Sequence, residues 1–133
     1  MLNGALAGLV AITAEPLTPG PITAMFIGSI GAIIMYFGTK MLESFGLDDV
    51  VGAIPVHMFA GIFGTLVVPL TNPDTSFGTQ FIGTASVCIF SFGLSWATFT
   101  ILKSTVGLRI SKAAEKLGTD KAEVGVTAYS IRD

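Results

Sequence analysis

Residues 50–70, VVGAIPVHMFAGIFGTLVVPL, form an apolar run that contains no Asp, Glu, Lys or Arg. At about 1.5 Å per residue, a helix of this length crosses the roughly 30 Å hydrocarbon core of a bilayer. The run nevertheless contains His57, the only histidine of the chain. Because lipid cannot solvate a titratable ring, this side chain is expected to face protein, water or a permeating solute. The stretch therefore predicts a membrane helix with one polar position inside it.

The rest of the chain has the same character. Of its 133 residues, 51% are hydrophobic and 12% are charged, and the mean hydropathy is +0.76, which is typical of a membrane protein. Four apolar stretches predict helices, at residues 2–14, 22–42, 50–70 and 77–106. The first is too short to span a bilayer and starts almost at Met1, so we expect the end of a helix whose beginning is missing. Residues 107–133 have the composition of a polar tail.

The basic residues predict an orientation. All seven lie at position 40 or from position 103 onward. Lys40 closes the second apolar stretch and Lys103 closes the fourth, whereas the loops at 15–21 and 71–76 contain no Lys or Arg. By the positive-inside rule, the Lys40 loop and the tail are predicted to be cytoplasmic.

The residues alone leave three roles open for His57. It can bond a neighbouring helix, bind a metal with ligands from other segments, or line a pore. Helical spacing predicts that His57, Gly61 and Gly64 share one face, so the ring projects from a face that is otherwise bare. Pro55 removes the backbone hydrogen bond to the Val51 carbonyl and is predicted to loosen the helix beside His57. A neutral imidazole both donates and accepts hydrogen bonds, which suits a small polar solute in a narrow apolar path.

Other residues are predicted to be structural. Asp48 and Asp49 precede the His57 run, where a carboxylate favours the helix dipole and can cap the helix; attraction of cations is the secondary interpretation. Cys88 has no partner for an intrachain disulfide and is predicted to be a small buried hydrophobe. Four glycines are predicted to allow close approach of helices: Gly4, Gly8, Gly28 and Gly31.

The tail contains its own helix signals. Gly107 is predicted to end the last membrane helix, and residues 108–117 are predicted to form a short amphipathic helix. Asp120 and Glu123 have capping-box spacing for a further turn. A basic stretch beside a membrane indicates contact with lipid headgroups, and a docking surface is the alternative.

Three segments resemble the ammonium transporter (Amt/Rh) family. They are LNGALAGLVAITA at 2–14, LDDVVGAIPVHMFAGIFGTL at 47–66 and GLRISKAAEKLGTDKAEVGVTAY at 107–129. The resemblance implies an all-α membrane protein, a partial polytopic helical bundle that corresponds to the C-terminal part of the 11-helix ammonium transporter fold. The stretches within 1–106 would be the end of helix 8 and helices 9 to 11, and 107–133 the cytoplasmic tail. Since this is about the last third of a typical member, the chain is expected to be a fragment.

The resemblance also implies a function. His57 would be the second of the family's twin pore histidines, and the first would come from a segment outside this chain. Ammonium would be recruited outside and lose a proton, and ammonia would cross past the histidines. Such a protein is a multi-pass transporter of the cell (plasma or inner) membrane and a homotrimer; it is not an enzyme, and no cofactor, metal or nucleic acid is implied. A PII-type regulatory protein can meet the tail.

The family motifs extend the candidate residues beyond His57. Those expected to support the pore helix are Asp48, Asp49, Pro55, Gly61 and Gly64. Those expected to act in tail regulation are Gly107, Arg109, Asp120, Gly125 and Tyr129. The chain departs from the common pattern around the histidine at Gly52, Pro55 and Met58. Two other hypotheses stay open: a non-transporting membrane anchor whose cytoplasmic tail binds a regulatory partner, and a fragment without an independent role.

Overall fold

The computed structural model describes residues 2–128, and all regular structure in this part of the chain is helical. The elements are α1 (Leu2–Ile12), α2 (Pro21–Ser44), a π-helix (Ile54–Phe59), α3 (Ala60–Val67), a 3-10 turn (Val68–Leu70), α4 (Phe77–Thr105), α5 (Lys112–Leu117) and a π turn (Asp120–Val124). The π-helix, α3 and the 3-10 turn form one continuous run, Ile54–Leu70, which we call the His57 helix. The predicted all-α class is confirmed.

The helix ends follow local chemistry. Pro21 opens α2 at a position where its missing N–H is not needed, and Gly46, at φ +68°, follows its end. The His57 helix begins later than the apolar stretch at 50–70, because Gly52 has a left-handed φ of +74° and interrupts helical winding. Helices α2 and α4 are long and apolar enough to cross a membrane, whereas α1 and the His57 helix are shorter.

Helix α1 packs against α2 and against the His57 helix, and α2 also packs against the π-helix. The centre of this packing is formed by Ala7, Val56 and Ala60, with Val10 and Met35 beside them. Most of these side chains are small. The three helices therefore approach closely, which is how membrane helices associate when lipid competes for apolar surface.

Glycines make the α1–α2 contact possible. A Cβ atom added to Gly8 would lie 3.1 Å from the carbonyl oxygen of Gly28. A Cβ atom added to Gly31 would lie 2.6 Å from the Cβ of Ala11. The predicted role in helix packing is confirmed at Gly8 and Gly31, where an added Cβ atom would be crowded. At Gly28 it would lie 3.6 Å from the Gly8 carbonyl oxygen, which is an ordinary contact.

The chain forms two compact units, one ending at Phe90 and one beginning at Ser91, and the boundary falls inside α4. Within the first unit, the described residues show no packing of α4 against the preceding helices, and no residue of Phe77–Thr105 is buried. Cys88 is accordingly exposed. The prediction that it is a buried hydrophobe is wrong, because an apolar run creates a buried position only where another element covers it.

In the second unit, α5 begins later than predicted, at Lys112. The Ser111 hydroxyl is its N-cap and accepts a hydrogen bond from the Ala114 N–H at 3.2 Å. Gly118, at φ +96°, ends the helix. The predicted capping box at Asp120 and Glu123 is not formed; the Asp120 carboxylate accepts instead from the Ala128 N–H, at 2.8 Å.

Candidate functional site

The turn before the His57 helix is held by Asp49. Its carboxylate accepts hydrogen bonds from the Ala53 N–H at 2.9 Å and from the Ile54 N–H at 2.8 Å. Two amide groups that a helix leaves without partners at its N-terminus are thereby satisfied. The predicted cap is therefore present at Asp49. The neighbouring Asp48 is exposed, and its side chain makes no hydrogen bond within residues 2–128.

Pro55 lies in the first turn of the helix, where an N–H needs no helical partner. The predicted loss of a bond from position 55 to the Val51 carbonyl therefore does not arise, because the helix starts at Ile54 and Gly52, at φ +74°, interrupts the winding before it. The Asn3 side-chain amide donates to the Val51 carbonyl, at 3.0 Å. The backbone then continues as the π-helix, in which the Ala60 N–H reaches back to the Pro55 carbonyl. The loosening predicted beside His57 takes the form of this wider turn.

His57 lies in the π-helix with an exposed side chain, and its ring makes no hydrogen bond to any residue from 2 to 128. Gly61 is half-buried beside Val10, and Gly64 is buried against the backbone of Ala11. His57 is thus exposed, whereas Gly64 is buried.

Two candidate residues hold the His57 helix against neighbouring helices. Pro55 is fully buried, and a Cβ atom added to Gly38 of α2 would lie 3.2 Å from its Cβ. Gly64 contacts α1, as described above. These contacts hold the helix on α1 and α2, while the side chain of His57 stays exposed. In the described part of the chain, no three His, Cys, Asp or Glu side chains are grouped closely enough to hold a metal ion.

The tail candidates occupy turns. Gly107 has a φ of +86°, and its N–H donates to the Leu102 carbonyl at 2.9 Å, which closes the end of α4. Gly125, at φ +75°, closes the π turn. Arg109 is exposed between α4 and α5. Tyr129 lies outside the described residues.

Among residues 107–128, Asp120 is the group whose pKa is shifted by its surroundings. Its carboxylate accepts from the Ala128 N–H, and this hydrogen bond is the main cause that lowers the pKa of Asp120 below its ordinary value. The bond spans the π turn and ties residue 128 back to its start. Asp120 and Gly125 therefore stabilise the same turn, while Gly107 and Arg109 belong to the segment before α5.

Sequence reasoning missed Asn3. It lies in the first turn of α1, and its hydrogen-bond partner is 48 positions away along the chain. The pair Glu15 and Asn72 was missed for the same reason: the Asn72 amide donates to the Glu15 carboxylate at 2.9 Å across two loops. No local pattern in the sequence indicates either pair.

Comparison with known proteins assigns the chain to a family. The sequence model of the Ammonium Transporter Family matches residues 1–129. Ammonium transporter Amt2 of Archaeoglobus fulgidus is 38% identical over 148 residues, covering 96% of this chain and 31% of that protein. Amt2 of Methanocaldococcus jannaschii is 35% identical, over 96% of this chain and 32% of its own length.

A bacterial relative gives the same result. The ammonium transporter of Corynebacterium glutamicum is 32% identical, over 97% of this chain and 32% of that protein. The chain thus spans about a third of the length of the curated relatives that it matches. With a family match that runs through all four apolar stretches and into the tail, the chain belongs to the ammonium transporter family.

Proposed function

We propose that this chain forms the C-terminal part of an ammonium channel or transporter and that His57 lines the path of the solute. Family membership supports the solute. The placement of His57 supports its role: the side chain is exposed and has no hydrogen-bond partner within residues 2–128, although it lies near the start of the apolar helix Ile54–Leu70. A polar ring in that position requires a partner from water, solute or another protein segment.

The packing behind the helix favours a pore role over a packing role. If His57 served to bond α1 or α2, its ring would face them, as Pro55 and Gly64 do. Instead, its side chain is exposed, whereas Pro55 and Gly64 are buried. A neutral imidazole offers one donor and one acceptor, so it can accept a hydrogen bond from ammonium or ammonia and donate another along the path.

The remaining features follow from the family. The first of the two pore histidines comes from another segment of the assembled transporter, since the only histidine of this chain is His57. The protein lies in the cell membrane, with the Lys40 loop and the tail on the cytoplasmic side as the basic residues predict. The assembly is a homotrimer, and its tail is the site for a PII-type regulatory protein.

Uptake by a matched pair of variants tests the pore role. His57→Ala and Met58→Ala are introduced into the longest natural polypeptide that carries these residues. Methylammonium uptake and ammonium currents are then measured in vesicles. Met58 is the adjacent control, because its side chain is also exposed. We expect His57→Ala to change the rate of uptake or the ammonium-to-potassium selectivity by about tenfold or more, which is the scale of a lost charge-assisted hydrogen bond. Met58→Ala should resemble wild type. Wild-type behaviour of His57→Ala in both assays rules the pore role out.

One observation keeps the anchor hypothesis as the second candidate. Within residues 107–128, Ser111 caps α5 and Asp120 holds the π turn, so this part of the tail has local structure of its own. A membrane anchor whose tail binds a PII-type protein would use that part of the tail alone. Reconstituting the chain in vesicles separates the two functions. Binding of a PII-type protein with no dependence of uptake on His57 favours the anchor, whereas uptake that depends on His57 favours transport.

A further inference from the structure

The second unit contains a groove where the end of α4 meets the segment that follows it. The groove has a volume of about 360 Å³. Three aromatic side chains, those of Phe92, Trp96 and Phe99, line it together with Lys103 and Leu108. Leu108 belongs to the segment after α4, and the other four residues lie on α4. All five are part of the second unit, so the groove can be described within that unit alone.

The four α4 residues of the groove follow helical spacing. From Phe92 through Trp96 and Phe99 to Lys103 the steps are four, three and four residues, so the side chains form a stripe along one face. At about 1.5 Å per residue, the stripe is about 16 Å long, close to half of the roughly 30 Å hydrocarbon core of a bilayer. It therefore has the length of one leaflet, with aromatic rings at acyl-chain depth and a cation at its end.

The charge at this end of α4 is positive. Helix α4 contains no acidic residue, and none lines the groove. From position 103 to position 117 the chain has one acidic residue, Glu115, and four exposed basic residues: Lys103, Arg109, Lys112 and Lys116. A cluster of four basic residues directly beside a membrane helix is typical of contact with anionic lipid.

Length and charge together select the occupant of the groove. A second copy of α4 could cover the aromatic rings, but it would bring no negative charge to Lys103, because α4 has no acidic residue. A free anion could pair with Lys103 but would leave the rings uncovered. A phospholipid with an anionic headgroup does both, and tryptophan and lysine are residues that anchor a helix at the lipid headgroups.

We propose that this groove binds a phospholipid with an anionic headgroup, with an acyl chain along Phe92, Trp96 and Phe99 and the phosphate beside Lys103. The remaining negative charge of the headgroup faces the basic residues that follow α4. This site is independent of the pore role of His57, which lies in the first unit. Only its assignment to the cytoplasmic leaflet rests on the proposed orientation.

The fluorescence of Trp96 reports on the groove directly, because Trp96 is the only tryptophan of the chain. The whole chain is reconstituted in phosphatidylcholine bilayers at a fixed protein-to-lipid ratio. Phosphatidylglycerol with brominated acyl chains then replaces part of the host lipid, and quenching of Trp96 is recorded. Brominated phosphatidylcholine, which has the same phosphate but no net charge, gives the quenching by unselective contact. The ratio of the two measures the preference of the groove for the anionic lipid.

Three variants separate the groove from general attraction by the basic tail. Lys103→Gln removes the cation at the end of the stripe, and Lys103→Arg keeps it. Lys121→Gln is the matched control, because it removes one positive charge from another exposed position of the tail. We expect the wild type to prefer phosphatidylglycerol and Lys103→Gln to lower this preference about fivefold, the scale of one basic residue at an anionic surface. Lys103→Arg and Lys121→Gln should resemble wild type.

Four results would overturn the proposal. Equal quenching of the wild type by the two brominated lipids would mean that the groove does not select charge. Equal losses in Lys103→Gln and Lys121→Gln would mean diffuse attraction by the tail. Competition by soluble glycerol phosphate would indicate a site for a free anion. Quenching that weakens as the protein-to-lipid ratio is raised would mean that a second copy of the chain covers the groove.

Discussion

Gly64 of the His57 helix lies directly against the backbone of Ala11 in α1, with no room for a side chain between them. This contact sets how closely the two helices approach, because a Cβ atom at position 64 would overlap the Ala11 carbonyl group. Backbone cannot rotate away as a flexible side chain can. The helices must separate to accept any larger residue, and the small core around Ala7 and Ala60 would lose its contacts.

Gly64→Ala is therefore expected to destabilise the first unit by about 1–3 kcal/mol, the usual cost of overpacking. Gly61→Ala is the matched control, since its Cβ atom would lie at an ordinary 3.6 Å from the Val10 side chain. Unfolding of the chain in mixed micelles with increasing sodium dodecyl sulfate measures both. Equal stability of the two variants would show that the close approach of α1 and the His57 helix is absent in the membrane.

Loss of the Asp49 carboxylate is expected to fray the start of the His57 helix. Asp49→Ala removes both acceptors for the amides of Ala53 and Ile54, and loss of such a cap costs about 0.5–2 kcal/mol. Hydrogen exchange of these two amides should accelerate by about two- to thirtyfold, as that free energy implies. Asp48→Ala, one residue earlier, should leave both rates unchanged. Unchanged protection in Asp49→Ala contradicts the cap.

These features differ in how far the sequence could predict them. The helices, the polar position at His57 and the cap at Asp49 follow from local patterns: apolar runs, their interruption, and an acidic residue before a helix. The π winding of the segment that contains His57 does not follow, since α and π winding share the same residues and differ in how many of them make a turn.

Hydrogen-bonded pairs that are far apart in the sequence could not be predicted from local patterns, for a different reason. The Val51 carbonyl accepts from Asn3, but nothing near Val51 in the sequence indicates that Asn3 is its donor. The exposure of Cys88 has a similar origin, because burial depends on which elements cover a helix and not on its own composition. Patterns in the chain thus predict what each segment requires and leave open which segment provides it.

The turn at Asp120 is expected to depend on pH. Because the Ala128 N–H bond lowers the pKa of Asp120, the stabilisation is fully present above the ordinary Asp value of about 4 and is lost as the pH falls through the lowered native value. NMR of the Ala128 amide should show a chemical-shift titration in this acidic range. In Asp120→Asn the titration of the amide should vanish, while Glu123→Gln, in the same turn, should retain it. An Ala128 amide that titrates alike in both variants contradicts the bond.

The basic residues predict a topology that cysteine labelling checks directly. Cys88 is exposed, so it is first replaced by alanine to remove background reaction. Single cysteines are then introduced by Thr18→Cys and Asp74→Cys in the two loops without Lys or Arg, and by Ser44→Cys beside the Lys40 loop. A membrane-impermeant maleimide added to intact cells should label the first two, because loops that lack positive charge are translocated, and should label Ser44→Cys only after the cells are opened. Ser111→Cys at the start of α5 should behave like Ser44→Cys, since Lys103 places the tail on the same side. Labelling of positions 44 or 111 in intact cells, with positions 18 and 74 protected, would mean that the orientation is inverted. The tail would then lie where no cytoplasmic regulatory protein could reach it.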